Sequence, residues 1–233
     1  VQAALAEFLR HLNLEKNASA HTVKAYREDL LQALTFFRGH LGDDGAGPER
    51  ISTRLLRAYL AWLHEQQYSR TTIARRLAAM RSWCRFLCRQ GLLDSNPAIG
   101  LRGPRQQRKL PHFISREQMV CLLEAPSAEE TAGLRDRAIL ETLYSAGLRV
   151  SELVGLEVSD LDLQEGMVTV RGKGKRERLA LLGPPAVAVL TAWLARRGEW
   201  ASLRETALFL NRRGSRLTTR SVGRLLEKYL AQV

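Results

Sequence analysis

Apolar residues recur at helical spacing from the start of the chain. Leu5, Phe8, Leu9 and Leu12 fall on one face of a helix over residues 1–13, and Ser19 caps a second run from Ala20 to His40. The Gly and Asp residues at 42–47, followed by Pro48, break the pattern before a third helix from about Ser52 to Gln67. A fourth starts near Ser69 and continues to Gln90, where Gly91 supplies a stop. At about 100° per residue, Ile73, Leu77, Met80, Cys84 and Leu87 form the core stripe of this fourth helix. Thr71, Arg75, Ala78, Ser82, Arg85 and Arg89 share a second face, basic with small residues between.

Between Asn96-Pro97 and Leu110-Pro111 the helical period is lost in a stretch rich in Gly, Pro, Arg and Gln, which predicts an interdomain linker. Helical patterns return at Ser115 and Glu117 to Glu124, from about Gly133 to Ser145, and around Val150 to Leu156. Two β-prone runs follow, Met167 to Arg171 and Arg178 to Leu182, joined by a Gly-rich basic turn. Pro184 and Pro185 open a helix to about Arg197, Ala207 to Leu210 reads as a short strand, and Thr218 and Thr219 cap a last helix. The expectation is a mainly α protein: a four-helix domain over residues 1–100, a linker over 101–112, and from 113 to 233 a mixed α+β domain with a small antiparallel sheet.

Charge changes the picture because of where it lies. The net charge is +12, and residues 51–114 hold 12 Lys and Arg against 2 Asp and Glu, so most of the surplus sits in and after the third and fourth helices. Such a concentration points to a polyanion, and the Arg-bearing face with Ala78 and Ser82 suits close approach to a nucleic-acid groove. The competing reading is a solvated Arg face. A membrane surface fits poorly, since no broad apolar face is left over for lipid and no run approaches the ~18 apolar residues of a span. Cys84, Cys88 and Cys121 are odd in number and lack CxxC spacing, which predicts neither a disulfide framework nor a zinc site and fits a reducing cytoplasm. The chain opens on Val1 with no signal-peptide pattern, and a preceding segment is expected.

The segment Ala146-Gly147-Leu148-Arg149-Val150-Ser151-Glu152-Leu153-Val154-Gly155-Leu156 is the most informative. It closely resembles the first conserved box of the tyrosine recombinases. Arg135-Asp136-Arg137-Ala138 before it and Asp160-Leu161-Asp162 after it resemble the bacterial Xer recombinases in particular, and Ala207-Leu208-Phe209-Leu210-Asn211 leans towards the C-like member of that group. The resemblance extends over essentially the whole chain. It implies a SAM-like core-binding domain followed by part of a catalytic domain, with the first catalytic Arg at Arg149 and the catalytic Lys at Lys173, 24 residues downstream in Gly172-Lys173-Gly174-Lys175.

The residue types suit that chemistry. Transesterification at a phosphodiester builds charge on nonbridging oxygens, which a guanidinium fork can bind in pairs, and the departing 5′ oxygen needs a proton that an ammonium can give. The competing readings are a salt bridge from Arg149 to Glu152 and a merely solvated Lys173. A phosphate-cradling P-loop is disfavoured because Gly172-Lys173-Gly174-Lys175 does not lead into a helix. Expected DNA contacts are Thr71, Arg75, Ser82, Arg85, Arg89, Arg105, Lys175 and Arg220.

The family's H-x-x-R box and Tyr nucleophile have no counterpart after Lys173. His112 is the last His, and Tyr229 sits in a helical apolar pattern that reads as packing. The resemblance therefore implies a longer parent that cuts and rejoins duplex DNA through a 3′-phosphotyrosyl intermediate, with no ATP or metal, in a homo- or hetero-tetramer on DNA. The 233 residues alone are expected to bind DNA without cleaving it. An integrase of a mobile element or integron, and a non-catalytic DNA-binding derivative, stand as alternatives.

Overall fold

Three serines start three of the four N-terminal helices. The protein, seen here as a computed structural model, is described for residues 1–42, 47–105, 113–172, 177–202 and 204–233. Helices α1 (Gln2–Leu14), α2 (Ala20–Leu41), α3 (Thr53–Glu65) and α4 (Arg70–Arg89) follow the apolar pattern. Ser19, Ser52 and Ser69 each accept a hydrogen bond of 3.2 Å from the backbone N–H three residues on, at Thr22, Leu55 and Thr72. Each cap satisfies a donor that the helix cannot satisfy itself, and contributes about 1 kcal/mol.

The chain divides into two units, Val1–Leu110 and Pro111–Val233, each with its own hydrophobic core. In the first unit, α4 packs on α1, α2 and α3 alike. That explains why its buried face is wider than one stripe: Ala79, Trp83 and Phe86 are buried along with Ile73, Leu77, Met80, Cys84 and Leu87. The first part of the irregular stretch after α4 belongs to the first unit. Ala98 and Leu101 are buried in the first core, Thr53 Oγ1 donates to Pro97 O at 2.9 Å, and Arg81 donates to the carbonyls of Ala98 and Leu101. The chain from Asn96 to Leu101 is thus docked on the first unit, and the exposed irregular segment begins only at Arg102. Apolar Ala98 and Leu101 within the Gly and Pro pattern hold it there.

The second unit opens with α5 (Arg116–Glu124), whose capping box pairs Ser115 with Gln118. It continues with α6 (Thr131–Ala146), α7 (Val150–Gly155), strands β1 (Leu161–Asp162), β2 (Met167–Arg171) and β3 (Glu177–Leu181), then α8 (Pro184–Arg197) and α9 (Thr219–Leu230). The sheet is antiparallel in the order β1-β2-β3, with β2 and β3 in register from Met167↔Leu181 to Arg171↔Glu177. Two-residue β1 is too short to leave a periodic signal in the sequence. Thr218 caps α9, which buries Val222, Leu225 and Tyr229 along one face.

The run Ala207 to Leu210, expected as a strand, makes only two single bridges, Glu157↔Ala207 and Leu210↔Arg216. All four residues are buried, but side chains claim three of their carbonyls. Arg197 donates to Ala207 O at 2.6 and 3.0 Å, the Trp193 indole to Leu208 O at 3.0 Å, and Arg135 to Leu210 O at 2.9 Å. The apolar residues are buried, but the ladder that would make them a strand is replaced by Arg and Trp donors. Among the described residues no helix is long and apolar enough to cross a membrane.

Among the glycines with positive φ, Gly147 and Gly214 differ in what surrounds them. Gly147 (φ +58°) ends α6 with open space where a Cβ would stand, whereas a Cβ on Gly214 (φ +77°) would lie 2.1 Å from Trp200 O. Gly147→Ala is expected to cost only backbone strain, about 1 kcal/mol, and Gly214→Ala more than about 2 kcal/mol because backbone must also move. Thermal unfolding of the two variants measures the difference, and equal losses would show that the close approach at Gly214 is not restrictive.

Candidate active site and nucleic-acid interface

The left-handed turn at Gly147 and the buried side chain of Leu148 deliver Arg149 to the N-cap position of α7. Glu152, three residues on, reaches back to it. Its Oε2 accepts from the Arg149 backbone N–H at 2.9 Å and its Oε1 from Arg149 Nη1 at 2.9 Å. Arg178 on β3 donates from Nη2 to Oε2 at 3.0 Å. The ion pair weighed as the competing role for Arg149 therefore exists, yet it does not bury the arginine. The Glu152 side chain is 5% exposed and that of Arg149 is 78% exposed, so the carboxylate anchors one edge of the guanidinium and leaves the rest facing solvent.

The Arg149 backbone N–H, followed by the Arg149 side chain and the charge of Arg178, holds the Glu152 carboxyl below its ordinary value, against the opposing effect of burial. One carboxylate and two guanidinium groups leave the cluster with a net charge of +1. A planar fork held at one edge and open at the other is suited to binding two oxygens of a phosphodiester.

A second carboxylate fixes the base of the hairpin beside this cluster. Arg171, the last residue of β2, lies 2.7 and 2.9 Å from the two oxygens of buried Asp160 and 3.2 Å from Glu177, its cross-strand partner. Asp160 also accepts from the Glu157 backbone N–H at 2.8 Å. Hydrogen bonding to Asp160 raises the Arg171 pKa, so the cation is retained. Lys173 and Lys175 lie outside the described residues, between the ends of β2 and β3.

Tyr229 is a core residue. It is 4% exposed, and its hydroxyl donates to Asp136 Oδ2 at 3.0 Å, while Arg135 Nε and Nη2 lie 2.9 and 2.5 Å from Asp136 Oδ1. Burial pushes its pKa up. Arg220 is exposed in the first turn of α9.

In the first unit, Thr71, Arg75, Ala78, Arg85 and Arg89 are exposed and Ser82 is half-buried, so the second face of α4 is open. Ser82, Arg85 and Arg89 line a cavity of about 260 Å³ together with Lys16, Thr22 and Tyr26. Arg75 behaves differently. It bonds to Asp29, a residue of α2 whose side chain is only 4% exposed and which also faces Arg76 Nε at 3.5 Å. Burial raises the Asp29 pKa, and Arg75 and then Arg76 pull it back. Part of the Arg75 guanidinium is thus committed inside the protein. Arg105 is exposed, in the irregular segment after Leu101.

Arg178, Arg171 and Lys16 were not singled out from the sequence. Alternation of sign in Arg176-Glu177-Arg178 is the one local signal for the first, and cross-strand pairing with Glu177 becomes visible for Arg171 only once the register is known.

A basic helical face in one unit and an anchored, solvent-facing arginine beside a β-hairpin in the other define a phosphodiester-directed protein, and the chain belongs to the phage integrase family, the tyrosine recombinases. Residues 112–233 match the phage integrase family itself and residues 5–91 the phage integrase N-terminal SAM-like domain. The chain is 43% identical over 234 residues to tyrosine recombinase XerC of Pelotomaculum thermopropionicum, covering 97% of this chain and 76% of the relative. It is likewise 43% identical to XerC of Pelobacter propionicus, covering 97% and 74%. The fold is that of the Tn1549 transposon integrase in complex with transposon right end DNA (TM-score 0.73, 18% identity, 99% of this chain and 79% of that one).

Glu152→Gln is expected to destabilise the protein by roughly 1–2 kcal/mol at neutral pH, because charge-assisted bonds to two arginines are weakened. The depressed carboxyl contributes stability above its ordinary value of 4.5, and that contribution is lost as pH falls through the lower folded value. The gap in Tm between the two proteins should therefore narrow below about pH 4.5. A gap independent of pH would mean that Glu152 is not the ionised anchor.

Proposed function

We propose that this chain binds duplex DNA and contributes Arg149 and Lys173 to the strand-exchange chemistry of site-specific recombination. The observation that carries the reading is the Arg149 guanidinium, fixed at one edge by buried Glu152 on a side chain that is 78% exposed. A purely structural arginine would turn its donors inward. In the reaction, a tyrosine hydroxyl attacks phosphorus and the bond to the 5′ oxygen breaks. Arg149 neutralises the nonbridging oxygens, and Lys173 protonates the leaving 5′ oxygen. The 3′-phosphotyrosyl link keeps the bond energy, so rejoining needs no ATP. Within the 233 residues Tyr229 is buried against Asp136, which supports DNA binding without cleavage for this chain by itself.

Binding is assigned to Thr71, Ser82, Arg85 and Arg89 on α4, with Arg105, Lys175 and Arg220 as further backbone contacts and Arg75 as a partial one. Asp29 competes with phosphate for Arg75. The resemblance to the XerC proteins supports a role in resolving chromosome dimers at cell division, in the bacterial cytoplasm, with four recombinase protomers acting together on DNA, identical or paired with a related recombinase.

Titration of a short duplex with this chain tests the reading. Affinity should fall by about 10³ or more between about 50 and 200 mM salt, since several phosphate contacts are implied. Arg85→Ala/Arg89→Ala should lose more affinity than Arg149→Ala, because Arg149 is assigned a single phosphate. A flat salt response would remove α4 as the docking element, and equal losses would overturn the division between binding and chemistry.

A further inference from the structure

Arg178 is a cation that the chemistry above does not use, yet it shares the carboxylate that anchors Arg149. It stands on β3, opposite Val170, and its side chain is 43% exposed. We propose that Arg178 is a positioning residue for Arg149, acting through Glu152; this rests on the reading that Arg149 binds a phosphate of DNA.

The two oxygens of Glu152 are used unequally. Among the described residues Oε1 accepts only from Arg149 Nη1, at 2.9 Å, whereas Oε2 accepts from both the Arg149 backbone N–H, at 2.9 Å, and Arg178 Nη2, at 3.0 Å. With the backbone bond alone, the carboxylate is held at one point and its plane can turn about that bond. The second donor comes from a different element, and two donors on Oε2 set the direction in which Oε1 points. Oε1 in turn holds the only hydrogen bond found for the Arg149 guanidinium among the described residues. A long side chain that is mostly exposed loses rotamer freedom when it takes up one geometry, so a prepaid orientation strengthens every later contact to phosphate.

The charge balance runs the same way. With Arg178 the cluster carries +1, which complements one phosphodiester; without it Arg149 and Glu152 sum to zero. The register of β2 with β3, and not α7 alone, therefore aims Arg149.

The salt dependence of duplex binding by the 233-residue chain separates the possibilities, because its slope counts phosphate contacts at about 0.9 per contact in d log K/d log [salt]. Arg149→Ala should lower the slope by about one contact. Arg178→Ala should lower it by the same amount, and the double variant should lose no more than either single one. Arg178→Lys, which restores the charge and a donor, should recover part of the slope. A purely structural role for Arg178 would lower Tm and leave the slope unchanged, and that result overturns the proposal. A double variant that loses two contacts also overturns it, by giving Arg178 a phosphate of its own. An unchanged slope in Arg149→Ala instead overturns the reading of Arg149 on which the proposal stands. Should Arg178→Ala fail to fold, Arg178→Gln, which keeps a polar group of similar length, gives the same comparison.

Discussion

A carboxylate withdrawn from water must be met by donors, and Glu152 is met by two arginines and a backbone N–H. That requirement connects elements that are far apart in sequence. It fixes the start of α7, draws β3 against it, and leaves Arg149 with one edge tied and the other open. The same cause depresses the carboxyl and orders the cation, so electrostatics and geometry at this site cannot be altered separately. Asp160 applies the same device a few residues on, tying the end of β2 through Arg171. Two buried acids thus fix both strands that border the segment carrying Lys173.

The first unit uses a buried acid differently. Asp29 lies in α2 beneath α4 and draws Arg75 inward, so a helix face that is uniform on a wheel is unequal in fact. Among the described residues Arg85 and Arg89 carry no such tie, and they share a cavity with Lys16. Basic residues on one helix can accordingly differ in availability, and what decides it is whether a carboxylate lies below them.

Much of this was legible in the sequence. Ser19, Ser52, Ser69 and Thr218 announce the helices they cap, and the eleven residues around Arg149 identify the family. What was not legible depends on partners distant in sequence. Arg178 is an ordinary charge until β3 is placed next to α7, and Asp29 looks like a surface residue of an amphipathic helix until α4 covers it. The Ala207 to Leu210 run is apolar and β-prone, as its composition says, but the donors that take its carbonyls come from Arg135, Trp193 and Arg197 on two other helices. Local pattern identifies burial well and hydrogen-bond partners poorly.

That run has one more consequence. A strand at a sheet border offers a row of free carbonyls and N–H groups, which a passing extended chain can extend into a longer sheet. Here three of the four carbonyls are taken by guanidinium and indole donors, the fourth, Phe209 O, accepts from Leu217 N–H, and Leu208 N–H is taken by Leu156 O. The segment is therefore closed on its acceptor side: it can be as apolar as the core demands without presenting a row of free carbonyls.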